Sequence, residues 1–279
     1  MNKFQKLCCT VMLSAALLTG CASQSKTIGV VSREEGSGTR GAFTELFKLE
    51  EDGKDLTLQT AETTNSTAVM MTTIAGNEAG IGYVSLGSLD ESKVKAVSVD
   101  GVKPSSENVK AGSYKVSRPF NIVTKEGVDN ALAQDFISFI LSNQGQKVVA
   151  DNGLVSMDTT TDYQASNLEG KLVVGGSSSV TPVMEKLKEA YVALNPNVTI
   201  DVQQTDSTSG AKGCAEGLLD IGMISREIKD SEKSQGLKDQ AIALDGIAVI
   251  VNLNNEVSDL TSEQIQKIYK GEVTTWDEL

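Results

Sequence analysis

Three stretches of this chain mix glycine with small hydroxyl residues: Gly36-Ser37-Gly38-Thr39, Gly176-Ser177-Ser178-Ser179 and Ser207-Thr208-Ser209-Gly210. Each follows a run that reads as a strand and opens residues with helical spacing. A helix start presents unpaired backbone N–H groups, and hydroxyls beside it add donors at the same end, which is the chemistry of holding an anion. A capped helix with a glycine turn explains any one of them alone. Three together, with Arg33 ending the strand before the first, point further, because a guanidinium offers an oxyanion a planar pair of donors. Val31-Ser32-Arg33-Glu34 and Ile224-Ser225-Arg226-Glu227 echo one another as matching strand ends, although four residues are too few to establish a repeat.

Other chemistries lack their residues. The chain has no histidine, which removes Ser-His-Asp and Cys-His nucleophile systems and the commonest transition-metal ligand. The serine clusters carry neither Gly-x-Ser-x-Gly nor Ser-x-x-Lys, and there is no phosphate loop of the Gly-x4-Gly-Lys-Ser/Thr kind. The residues thus predict a binding protein and not an enzyme, with no metal and no cofactor.

The elements that must position these loops alternate. Residues 27–32 read as a strand, with Ala42, Phe43, Leu46 and Phe47 at helical spacing beyond the first loop. Ser66 to Ala75 reads as a helix, Gly80 to Val84, Val94 to Val99 and Ser117 to Thr124 as strands, and 130–142 as a helix with Leu132, Phe136, Phe139 and Ile140 on its buried face. Residues 158–170 are polar and read as a linker. The pattern then restarts with a strand over 171–174, a helix carrying Val183, Met184, Leu187 and Tyr191, strands over 198–203 and 220–224, and a nearly all-apolar strand from Ile242 to Val251. Thr261 and Gln264 have capping-box spacing, with Leu260 and Ile265 at the staple positions. Strands alternating with helices predict an α/β fold with largely parallel sheets.

The N-terminus carries an address. Lys3 and Lys6 precede an apolar run from Leu7 to Leu18 that is too short to span a bilayer, so residues 1–20 read as a signal peptide. The run ends in Leu18-Thr19-Gly20-Cys21, the spacing of bacterial lipoprotein processing, which predicts lipidation of Cys21, a tether over 21–26, and a body held at the extracytoplasmic face of the cell membrane. Without residues 1–20, 23 basic residues face 37 acidic ones, a net charge of −14. That surface repels nucleic acid. It does not exclude an anion held by local donors. Cys214 is then the one cysteine beyond Cys21, so the body has no intramolecular disulfide.

With these residues in view the chain resembles the phosphate-binding lipoproteins of ABC importers, the PstS family. The resemblance runs through Arg33-Glu34-Glu35-Gly36-Ser37-Gly38-Thr39, Gly80 to Ser85, Asp220 to Met223, Asp245 to Val249 and Leu260 to Trp276. It implies a two-lobed, type II periplasmic-binding-protein-like fold with the ligand in the cleft. The order differs from the family's, in which the segment resembling 171–279 comes first. The chain therefore looks circularly permuted, with 158–170 joining the family's usual ends. Lobe II would be 27–116 plus 252–279, and lobe I would be 117–251, linker included.

Carried over by position, the phosphate-binding residues are Arg33, Ser37, Gly38 and Thr39 from one lobe, with Glu35 holding Arg33, and Ser178, Ser179, Ser207 and Ser225 from the other. Ser225 stands where some relatives carry an aspartate that accepts the proton of hydrogen phosphate, and Glu35, Asp206, Glu227 and Asp245 are alternative acceptors. The expected function is capture of inorganic phosphate by a monomer for an ABC permease. The alternatives are another oxyanion such as sulfate or molybdate, a surface protein that senses or adheres, and a broken gene whose halves pair between chains.

Overall fold

The computed structural model describes residues 27–279; the signal peptide, the tether and Cys21 lie outside the described residues. The first half runs β1 (Gly29–Arg33), α1 (Gly38–Leu46), β2 (Glu62–Thr64), α2 (Thr67–Ala75), β3 (Gly80–Ser85), β4 (Ser117–Lys125), α3 (Ala131–Ile140) and α4 (Asn143–Asp151). The second runs β5 (Gly170–Ser177), α5 (Thr181–Leu194), β6 (Val198–Thr205), α6 (Ser207–Ala215), β7 (Ile221–Ile224), β8 (Leu237–Asn252) and α7 (Ser262–Lys270).

The main strands follow one path, β6-β5-β7-β4-β8-β3-β1-β2. The pairs β1–β2, β1–β3, β5–β6 and β5–β7 are parallel. β4 and β8 run antiparallel to their neighbours. The strand β8 decides the shape. Its residues 237–246 pair with β4, with a register shift between Ala241 and Ala243, and residues 247–251 pair with β3. One strand thus serves two half-sheets and two apolar cores. The first core gathers Phe136, Phe139, Leu172, Leu187, Tyr191 and Met223. The second gathers Phe43, Phe47, Tyr83, Val249, Ile265 and Tyr269.

Local sequence explains the elements. Residues Ile247 to Val251 are apolar on both sides of the pleat and fully buried, the pattern of a strand covered on both faces. Each valine and isoleucine among them contributes about 1.5–3 kcal/mol by leaving water. The capping box expected on α7 is present, with the Thr261 side chain accepting from Gln264 N and the Gln264 side chain accepting from Thr261 N. Gly271 ends that helix at φ 76°, which only glycine adopts without strain.

The structure departs from the sequence reading in several places. The sheet is mixed and not largely parallel, because β4 and the long β8 run against their neighbours, and the strand read over Val94 to Val99 is two short ones, Val94–Ala96 and Ser98–Val99. The long helix read over 130–142 ends at Ile140, and a second helix, α4, follows at once, started by Ser142, whose hydroxyl accepts from Gly145 N. The segment 158–169 has no regular secondary structure, as a linker should, yet it is pinned. The Tyr163 hydroxyl donates to Asp135 Oδ2 at 2.6 Å, the Tyr191 hydroxyl does the same, and Ser166 Oγ joins at 2.9 Å.

Candidate functional site

Four helices, α1, α2, α5 and α6, start at one place, where the two half-sheets meet. Serine or aspartate caps three of them: Ser37 accepts from Arg40 N, Ser66 from Val69 N and Asp206 from Ser209 N. The fourth, α5, is preceded by the turn Ser177-Ser178-Ser179. Strands ending in that region add Arg33 at the end of β1 and Ser225 just past β7. All the hydroxyls that meet here are buried.

They touch across the two half-sheets. Thr39 Oγ1 lies 2.9 Å from Ser179 Oγ and 3.4 Å from Ser225 Oγ. Thr67 Oγ1 lies 3.2 Å from Ser179 Oγ, and Arg33 Nη2 donates to Ser178 Oγ at 3.0 Å. On the far side, Ser177 Oγ donates to Ser225 Oγ at 2.9 Å, and Ser207 Oγ accepts from Ser225 N at 3.0 Å. The loop after β1 also meets α6 directly, since Gly36 O accepts from Thr208 N and Thr208 Oγ1. The closeness depends on Gly38, because a Cβ there would stand 2.3 Å from Ser207 Oγ and 2.7 Å from Ser225 Oγ.

Charge in the cluster is paired. Arg33 donates from Nε and Nη2 to both oxygens of Glu34, at 2.7 and 2.8 Å. The expectation that Glu35 holds Arg33 is therefore corrected: Glu35 is exposed, and its neighbour Glu34 makes the fork-to-fork pair. Tyr83 supports the strand end, its hydroxyl accepting from Arg33 N at 3.1 Å and bonding Ser32 Oγ at 2.9 Å; burial pushes that phenol up. Of the other carboxylates read as acceptors, Asp206 spends both oxygens on Ser209, and Glu227 is exposed. Asp245 is fully buried but bonded to Arg118 and to Gly87 N, and burial raises its carboxyl against the pull of that guanidinium. Among the described residues, the carboxylates that touch the cluster's arginines are thus already engaged by them.

Of the sequence-derived set, Thr39, Ser179, Ser207 and Ser225 share one hydrogen-bonded cluster, and Arg33 and Ser178 form a pair of their own beside it, Ser178 being the chain neighbour of Ser179. Gly38 packs against the cluster, and Ser37 caps α1 at its edge.

A family model described as the PBP superfamily domain matches residues 15–144 and 160–279. The phosphate-binding protein PstS 2 of Streptococcus agalactiae serotype V is 49% identical over 278 residues, covering 96% of this chain and 94% of that protein. The PstS 2 of Streptococcus pneumoniae serotype 4 is 46% identical over 292 residues, covering 99% of each. The chain belongs to the PstS family. A crystal structure titled as the phosphate-binding protein of a phosphate ABC transporter from S. pneumoniae TIGR4 is 48% identical, with a TM-score of 0.72 over 91% of this chain and 99% of that one. The fold is thus that of the PBP superfamily. Because these PstS relatives match along nearly their whole length, they share this chain's order of segments.

Three members of the cluster are missing from the set that the resemblance carries over. Thr67 opens α2 with the same small hydroxyl design as the other helix starts, and its Ser66-Thr67 pair was the signal available. Ser177 lies within the serine run and reaches Ser225. Arg118 gives only a faint sign: an arginine beside Pro119 near the start of a strand whose middle, Phe120 to Val123, is buried.

Proposed function

We propose that this PstS-family protein captures inorganic phosphate outside the cytoplasm and delivers it to an ABC permease, binding without catalysis. The observation that carries the reading is the convergence of buried hydroxyls from four helix starts with a paired arginine, drawn from both half-sheets. Such a set offers a tetrahedral anion many donors, and a complete shell only when the lobes meet, which links binding to closure. The phosphate ligands in this reading are Arg33, Ser37, Gly38, Thr39, Ser178, Ser179, Ser207 and Ser225. The names of the relatives agree with phosphate as cargo.

In the same reading the protein is a monomer held at the membrane by a lipid on Cys21. None of the helices among the described residues is long and apolar enough to cross a bilayer, which fits such a tether. The order of segments, with 27–116 plus 252–279 as lobe II and 117–251 as lobe I, is a circular permutation of the order that other family members have, and the full-length PstS 2 relatives carry the same permutation. The hydrogen bond from Ile28 N to Thr274 O and the bridge between Thr27 and Thr275 support this reading, since they bring the two outer segments side by side.

One observation favours a second cargo beside phosphate. The hydroxyls of the cluster both donate and accept, and no unengaged carboxylate touches them among the described residues, so a fully deprotonated oxyanion such as sulfate meets no repelling group.

The test is thermal unfolding of anion-stripped protein with phosphate, sulfate or molybdate added. A ligand at about 100 times its dissociation constant adds about 2.7 kcal/mol of stability. Stabilisation by phosphate that Arg33→Ala abolishes, without loss of the cooperative transition, is the expected result. Stabilisation only by another oxyanion would transfer the reading to that anion, and none at all would end it.

A further inference from the structure

Arg118 is the second residue of β4, is buried, and uses all three guanidinium nitrogens, each in a different direction. Nε donates to the Ser225 carbonyl at 3.2 Å, in one lobe. Nη2 donates to Thr39 Oγ1 at 3.1 Å, in the other. Nη1 meets Asp245 on β8, whose second oxygen accepts from Gly87 N at 3.0 Å. Asp245 stands two residues before β8 exchanges β4 for β3 as its partner. One side chain thus grips both sides of the hydroxyl cluster and the strand that joins the lobes.

The consequence for Thr39 is chemical. A guanidinium has donors only, so Thr39 Oγ1 must accept from Arg118, and its own hydrogen is turned away from Arg118, toward Ser179 and Ser225. A cation that fixes a hydroxyl as a donor, and stands directly behind it, favours negative charge in front of it. Asp245 opposes that charge from behind.

We propose that Arg118 is a positioning residue of the anion site, acting through Thr39, and that Asp245 sets how much of its positive charge the ligand feels. The proposal rests on the phosphate-binding reading above and assigns two residues which that reading leaves out. The alternative is an ion pair that only fastens the strands, and the two differ in what they couple to.

The experiment is a double-mutant cycle on phosphate affinity, measured by calorimetry with Arg118→Gln, Thr39→Val and their combination. If Arg118 works through Thr39, each single change weakens phosphate binding by about tenfold or more, and the double change costs little beyond the worse single. Independent, multiplying losses overturn the proposal. Asp245→Asn, close to the same shape, is the second arm and remains informative if Arg118→Gln fails to unfold cooperatively. Leaving Arg118 unopposed is expected to tighten phosphate binding about tenfold. A variant with lowered Tm but wild-type phosphate affinity overturns the charge-setting role. Absence of phosphate binding by the wild-type protein would instead sink the functional reading itself, an outcome distinct from an additive cycle in a protein that binds.

Discussion

Gly38 shows how little room the site leaves at the level of single residues. The atom that any other side chain would add meets two hydroxyls, Ser207 and Ser225, that belong to the opposite half-sheet. Gly38→Ala is therefore expected to wedge the lobes apart while leaving each core intact. Phosphate affinity should fall by at least about a hundredfold, since several donors lose their distance together, with Tm of the ligand-free protein within a few degrees of wild type; calorimetry and a thermal melt check both. Unchanged affinity would mean that the lobes need not meet this closely. The neighbouring glutamates teach the opposite lesson about sequence. Glu34 and Glu35 are chemically identical, and which of them reaches Arg33 depends on the path of the chain after β1, which no residue type declares.

At the scale of elements, the helix starts were legible because their caps and periodicities are local. Ser66, Thr261 with Gln264, and the stripe Val183, Met184, Leu187 and Tyr191 form the elements their spacing predicts. Arg118 was not, because its meaning comes from residues 107 and 127 positions away in the chain. The segment after β7 that carries Ser225 is likewise held by a later element. Arg226 reaches both oxygens of Glu232, at 2.7 and 2.8 Å, in the short helix Asp230–Lys233, and Lys229 N adds a third bond. Burial pushes the Glu232 carboxyl up, but the bonds from Arg226 and Lys229 outweigh it and hold the group below its ordinary value. A depressed carboxylate contributes stability above its unfolded pKa and loses it as pH falls through the folded one. Glu232→Gln should cost about 1–3 kcal/mol at neutral pH. It should also flatten the fall in stability below about pH 4.5, as read by denaturant melts across pH. A parallel pH profile in the variant would show that the pair carries none of this dependence.

The whole molecule is organised by the crossing of β8 and by where the chain comes back to itself. Residues 158–170 read as a connector from composition alone, and 158–169 form no regular element, but Tyr163 docks into the first core beside Tyr191. The polar residues around it hid one aromatic anchor. If the order of segments is a permutation, the fold should tolerate its reversal: joining residue 279 to residue 27 by a short linker and opening the chain at 158–160, upstream of Tyr163, should give a monomer that still melts cooperatively and is stabilised by phosphate. An aggregated or unstructured product would count against the permuted reading.

The hydroxyls that bridge the lobes already satisfy one another, Thr39 with Ser179, Ser179 with Thr67, and Ser225 with Ser177. On the proposed function, an arriving anion would exchange hydrogen bonds with these hydroxyls rather than add them to bare donors, and its entry would wait for the lobes to part. Capture on such a site keeps pace with supply when the anion is scarce and levels off when it is abundant, at the frequency with which the cleft opens. The clasp that closes the site would also be its clock.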